Sequence, residues 1–355
     1  MVLSLLLRNL PLQHMSITDC STPRSPTSAT TPSIIDLPLG HICISLPDHV
    51  NLFARHLNNY LLPARSSANQ PIQSRCNDKV TLTISNDIFT AAQQCLASCC
   101  VADKLRLTKE TAQQWREGGY TLTPATPPQP IGETGRPAKP LLVKPADVPR
   151  RGLGSEAGRA ALIHAITHIE FNAINLAWDA VYRFRGLPQQ YYSDWIRVAD
   201  EEAYHFALLS ERLQDLGHHY GDFPAHNGLW AMAQKTADDP MVRMALVPRV
   251  LEARGLDVTP GMMQRLKKAG DEESVAILEI ILRDEIGHVE IGSRWFKYLC
   301  DERGLNPAST FRELVSAYFI GELRGPFDYT MRQQAGFSTE ELEALEKLAA
   351  QPAID

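Results

Sequence analysis

VADEEAYHF, residues 198–206, and ILRDEIGHVEIG, residues 281–292, each hold a glutamate and a histidine three positions apart, Glu202 with His205 and Glu285 with His288. On a helix this spacing puts both side chains on one face. Around the first pair, at helical spacing, stand Trp195, Val198, Ala199, Phe206 and Leu209; around the second stand Leu278, Ile281, Leu282 and Val289. Both pairs therefore fall mid-helix on an apolar, inward stripe. An ionised carboxylate there costs several kcal/mol unless something compensates it.

Working outward, two further glutamates behave the same way. Glu170 shares a face with Ile163, Ile166, Ala173, Ile174 and Ala177, and Glu252 lies in the next helical stretch but one. Glu170 precedes Glu202 by 32 residues and Glu252 precedes Glu285 by 33, each about one helix, a turn and half of the next. The unit "helix with Glu, helix with ExxH" thus occurs twice. Folded as antiparallel pairs, the two units bring four carboxylates and two imidazoles to one point. Four negative charges match two divalent cations. This is the ligand set of ferritin-like di-iron and di-manganese carboxylate proteins. The expected fold is all-α, a ferritin-like four-helix bundle with additional N- and C-terminal helices. The expected ligands are Glu170, Glu202, His205, Glu252, Glu285 and His288, and the expected cofactor is two iron ions, with manganese or a mixed Mn/Fe pair open. Glu252 is the weakest member because Pro248 makes its helix irregular; Glu279 is its reserve. The competing reading keeps the Glu–His pairs as structural hydrogen bonds.

A metal-bound histidine usually donates its other N–H to a carboxylate. Asp284 just before Glu285 is placed to reach His205 across the bundle, and Glu201 just before Glu202 to reach His288. Tyr204, inside the first ExxH, and Arg249, three before Glu252, are candidates for a pocket beside the centre. His164 and His168 read as packing or surface residues. YGDFPAHNGLW (220–230) reads as a tight structural loop ahead of a pocket mouth made by Asp222, His226 and Trp230.

Residues 155–350 form the expected bundle. Ser155 caps a first long helix that stops at RGLP (185–188), Pro188 suits the first turn of a second, and a short helix lies near 229–237. Asp239–Pro240 opens a third, which Pro248 kinks and Arg254–Gly255 ends; Thr259–Pro260 starts another short one. Asp271 caps a long helix to Gly304, and 308–334 and 338–350 complete the set. Residues 86–154 comprise one helix over 88–117 and a Pro-rich arm without periodicity. Residues 1–85 read as a poorly ordered extension: no glutamate precedes Glu110, and 16–34 are mostly Ser, Thr and Pro. The opening apolar patch has no basic residue before it, unlike a secretory signal; an organellar transit peptide is the lesser reading of this leader, and Met15 an alternative start.

The charge is uneven. Residues 151–355 hold 21 Lys and Arg against 31 Asp and Glu, the first 150 hold 14 against 10, and the whole is −6. An acidic main domain argues against nucleic acid as partner. No apolar run reaches the roughly 18 residues of a membrane span. Seven cysteines without any CxxC fit neither a disulfide scaffold nor a zinc finger. The cytoplasm is the expected compartment.

AWDAVYRFRGLP (177–188), VADEEAYHF, YGDFPAHNGLW, MALVPRVLEARGLDVTPGM (244–262) and ILRDEIGHVEIG, in this order, resemble a bacterial ferritin-like family known only as a domain of unknown function. The resemblance spans roughly residues 88–340 and implies a bundle with a di-metal centre, but no reaction. More distantly, the ligand pattern is similar to the small subunit of ribonucleotide reductase, to multicomponent monooxygenases and to a ferritin-like tRNA hydroxylase, and this resemblance favours supporting roles for Asp284 and Glu201. The leading expectation is an O2-dependent di-iron oxidase or hydroxylase acting on a small molecule. A tRNA substrate is a subordinate version of it. The alternatives are a ferroxidase or iron-handling protein, and a non-enzymatic helical interaction protein.

Overall fold

In the computed structural model, residues 34–37, 40–43, 86–149, 152–319 and 323–350 are described. The expected extension, 1–85, lies outside them apart from one hairpin, β1 (Ile34–Leu37) antiparallel to β2 (Gly40–Cys43), within a separate unit Gln13–Arg75. From residue 86 onward the described residues are helical and contain no strand, only two isolated bridges.

Helix α1 (Ile88–Ala97) is capped by Asp87, whose carboxylate accepts from the Thr90 N–H. A single helix over 88–117 is not what forms. Ser98–Cys100 leave the helix, and α2 (Val101–Arg116) restarts in a new direction. Lys104, in the first turn of α2, turns back and donates to the Cys95 and Leu96 carbonyls and to Asn175 Oδ1, at 2.7, 3.3 and 2.7 Å. It thereby caps carbonyls left over at the end of α1. Cys95 is buried and Cys99 half-buried in the break, so they do not share a helical face.

The long helices follow their start signals. Ser155 accepts from the Gly158 N–H and opens α3 (Glu156–Arg183); Pro188 immediately precedes α4 (Gln189–Asp215). The turn after Asp215 passes through Gly217 at φ +70°, a left-handed conformation open to glycine. The 218–228 loop then leads to α5 (Gly228–Lys235). His164 accepts the Gly221 N–H and His168 meets Tyr220 Oη at 2.9 Å, so both histidines hold this loop. The loop in turn holds the Pro-rich arm: Ala225 exchanges backbone hydrogen bonds with Leu141 and Val143, and the Trp230 indole donates to Gly132 O.

The third helical stretch departs from expectation. It begins as α6 (Pro240–Leu246), capped by Asp239, passes through a π-helical turn over Val247–Glu252 and continues as α7 (Ala253–Lys268). The Ala253 N–H donates to Pro248 O, five residues back. Proline supplies no N–H of its own, and the wider turn absorbs that loss. Gly255 and Pro260 lie inside α7 and neither ends nor starts it. Leu256, Met262 and Leu266 are buried from α7, and packing of this face outweighs roughly 1 kcal/mol for the glycine and 3 kcal/mol for the proline.

Helix α8 (Glu272–Glu302) is capped by Asp271, which also accepts from Arg212 of α4 at 2.8 Å. Among the described residues three helices, not two, follow: α9 (Pro307–Phe319), α10 (Tyr329–Gln334) and α11 (Thr339–Ala349), the last opened by a Ser338/Glu341 capping box. No described helix is long and apolar enough to cross a membrane.

Candidate metal centre

α3, α4, the π-helical turn and α8 each deliver part of one cluster. Glu170, Glu202, His205 and Glu285 offer donor atoms all within 4.8 Å of one another. His205 Nδ1 is 3.4 Å from both Glu170 Oε2 and Glu202 Oε2. His288 Nδ1 is 3.0 Å from Glu202 Oε1 and 3.7 Å from Glu285 Oε2. Glu202 therefore stands between the two imidazoles, one oxygen toward each. Glu252, at the end of the π turn, acts electrostatically on this group through Glu285, Glu202 and His288. Of the six candidate ligands, four share the donor cluster, His288 adjoins it through Glu202 and Glu285, and Glu252 lines one cavity with Glu170 and Glu285, while Glu279 is exposed.

Both imidazoles present Nδ1 inward and Nε2 outward. His205 Nε2 lies 3.2 Å from Asp284 Oδ2, and His288 Nε2 lies 2.8 Å from Glu201 Oε2. The pairing is crossed: the acid on α8 serves the histidine on α4, and the acid on α4 the histidine on α8. Asp284 is further held by Arg283 at 2.9 Å.

The electrostatics are those of a crowded, desolvated acid cluster. Burial, followed by repulsion from Glu202, raises Glu170 well above the ordinary carboxylate range. Burial, followed by Glu285 and Glu202, does the same to Glu252, and burial and Glu202 raise Glu285. Burial works against a charged His205, yet Glu170 and Glu202 outweigh it and bring the imidazole up to about 11. His288 is likewise raised by Glu202 and Glu201 against its burial. Glu202 itself is held below its usual value, because His288, Glu170 and His205 overcome the effect of burial. Protons therefore carry the positive charge that the cluster demands.

The donor set fits divalent cations. Glu170 Oε2, Glu252 Oε2, Glu285 Oε2 and His288 Nδ1 are buried and make no hydrogen bond. Buried polar atoms are seldom left so, and unpartnered donors in and beside one Glu/His cluster suit a coordination site. Carboxylate and imidazole donors suit iron, manganese or zinc.

The two residues suggested for a pocket lie elsewhere. Tyr204 is 52% exposed beside His205. Arg249 points away from the cluster. Its guanidinium is buried among Phe296, Phe311 and Phe337, with centroid distances of 4.8, 4.1 and 4.4 Å, and it donates to Glu341 at 2.7 Å and to Ser293 at 3.1 Å. Within the loop Asp222 accepts from the His219 N–H and His226 Nδ1 from the Gly228 N–H, while Trp230 holds the arm. The sequence reading missed Gly292. A β-carbon there would overlap the Pro248 ring, so its bare backbone lets α8 approach the π turn that carries Glu252.

Among known proteins, the chain is 52% identical over 214 residues to an uncharacterized protein of Haemophilus influenzae, covering 58% of this chain and 74% of that protein. No solved structure matches it. Residues 97–343 match the family described as "Protein of unknown function (DUF455)". That span contains all six residues of the cluster and more than half of the chain, and the chain belongs to the DUF455 family.

Proposed function

We propose that this chain is a ferritin-like di-metal carboxylate protein, with iron as the resident metal, that acts as an O2-dependent oxidase or hydroxylase on a small molecule. The observation that supports it is the buried cluster of Glu170, Glu202, His205 and Glu285, with His288 beside it and four atoms of Glu170, Glu252, Glu285 and His288 lacking any hydrogen bond. Two divalent ions would balance the four carboxylates and supply oxygen-activating redox chemistry.

The roles then follow from the arrangement. Glu202, with an oxygen toward each imidazole, would be shared between the two ions. Glu170 and His205 would serve one side; Glu252, Glu285 and His288 would serve the other. With metal bound and the inward protons displaced, Asp284 and Glu201 would hold the Nε2–H of the two imidazoles and leave the Nδ1 lone pairs for the ions.

The test is metal content by mass spectrometry on protein purified without added metal. An anaerobic Fe(II) titration and an O2 pulse, followed by visible absorption, complete it. About two ions per chain and an oxygen-dependent band are expected. Folded protein that takes up no metal and shows no band overturns the proposal.

A further inference from the structure

A cavity opens on the side of the cluster away from the histidines. Glu170, Glu252 and Glu285 line it, and neither histidine does. Most of the rest of its wall is apolar, with Ile166, Leu229, Met262 and Leu278 among its residues. Its empty volume of about 690 Å³ includes the open solvent at its mouth, and the enclosed part is small.

Two features of α7 give the cavity a chemical preference. The first is Arg254, which also lines it, at 6% exposure. Its Nη1 reaches Asp257 Oδ2 at 3.3 Å and Pro326 O at 3.0 Å, but its Nε is buried with no hydrogen bond. Asp257 is not a full counter-charge, because Arg332 binds the same carboxylate through two nitrogens at 2.8 Å. Two guanidinium groups thus share one acid. A buried donor of a cationic group without an acceptor is costly, and an anion that reaches it removes the cost. The second feature is Gly255, next in sequence and also in the cavity wall. A β-carbon there would meet nothing within 4 Å. A glycine inside a helix costs about 1 kcal/mol relative to alanine, and neither a turn nor a close backbone contact accounts for this one. What it leaves is space.

We propose that this cavity binds a substrate with an apolar, aliphatic body and a carboxylate head. The head is held by the unpartnered edge of Arg254, and the body lies along the apolar wall with its carbon chain against Glu170, Glu252 and Glu285. The assignment deepens the di-metal reading by giving it a substrate class, but binding itself requires only the cavity and Arg254. A guanidinium matches the planar carboxylate in shape as well as charge.

The experiment is isothermal titration of the full-length, metal-free chain with octanoate, 1-octanol and octyl phosphate. Octanoate should bind with one site per chain, and octanol and octyl phosphate at least about tenfold more weakly, the loss expected for one charge-assisted hydrogen bond. Arg254→Gln should bring octanoate to the level of octanol and leave octanol unchanged. Gly255→Leu, whose β-carbon meets no atom within 4 Å, should abolish binding of both; circular dichroism checks that each variant is folded. Equal binding of octanoate and octanol, tighter binding of octyl phosphate, no octanoate binding, or octanoate binding untouched by Gly255→Leu each overturns the proposal. Because no metal is present, these outcomes are independent of metal content, which tests the di-metal reading by itself.

Discussion

The Pro248 ring rests against the bare Cα of Gly292, closer than any side chain at position 292 would permit. This contact sets how near α8 comes to the π turn and hence how near Glu285 and His288 come to Glu252. Gly292→Ala should push the two apart. Overpacking of this kind costs about 1–3 kcal/mol, read as a lower urea midpoint at constant slope. An unchanged midpoint would mean that the turn yields freely and does not fix Glu252.

Removal of single ligands tests the cluster directly. His205→Ala and Glu285→Ala should each abolish binding of two metal ions per chain, measured by mass spectrometry after dialysis against Fe(II) without oxygen. If both variants retain two tightly bound ions, the ligand assignment is wrong.

Asp284→Asn keeps the size of the side chain but weakens its hold on His205 Nε2. Loss of such a supporting carboxylate typically lowers metal affinity on the order of 10–100-fold. Glu201→Gln should act similarly through His288. Competition with a chelator of known affinity gives the numbers, and wild-type affinity in both variants would remove these acids from the site's support.

Metal uptake should release protons. In the metal-free chain His205 holds its proton to about pH 11, and Glu170, Glu252 and His288 are raised as well. Coordination needs these groups deprotonated, so metal affinity rises with pH across the neutral range. Titrations in buffers of different ionisation enthalpy should report at least about two protons leaving per loaded chain. Uptake with no proton release would contradict the charge balance drawn here.

Lys104 offers a pH test remote from the metals. Burial pushes its ammonium down to about 7, whereas in the unfolded chain it titrates near 10.4. Between these values the unfolded chain binds more protons, so this group makes stability increase as pH rises from about 7 to 10 and contributes no slope below 7. Lys104→Met should flatten that rise in urea denaturation across the window. An identical slope in the variant would show that another group produces it.

Much of the candidate site was legible in the sequence because helical period links position to face. Glu170, Glu202, Glu285 and both histidines sit on regular α-helix, where a spacing of three or an offset of one turn translates directly into geometry. Even the crossed pairing of Asp284 with His205 and Glu201 with His288 follows from two antiparallel helices facing each other. Glu252 was the least secure, and the reason is the π turn, whose extra residue shifts the face that counting by 3.6 assigns. Gly255 and Pro260 signalled helix ends that buried Leu256, Met262 and Leu266 override. The break at Ser98–Cys100 carries neither glycine nor proline, and what stabilises it, Lys104 meeting Asn175, is 71 residues distant and has no local signature. The Gly325–Pro326 pair that separates α9 from α10 was a readable stop inside 308–334. Arg249 was drawn toward the site by its neighbour Glu252; its true partners, Phe311, Phe337 and Glu341, come from later in the chain.

Glu341 lies 92 residues beyond Arg249, and this distance orders events during synthesis. While the chain emerges, the guanidinium that anchors the turn carrying Glu252 has no carboxylate to meet it, and a buried charge in that condition is strongly unfavourable. The turn can settle only after α11 has left the ribosome and closed over the three phenylalanines. The turn that carries Glu252 is therefore completed late in synthesis, once Glu341 is available to Arg249.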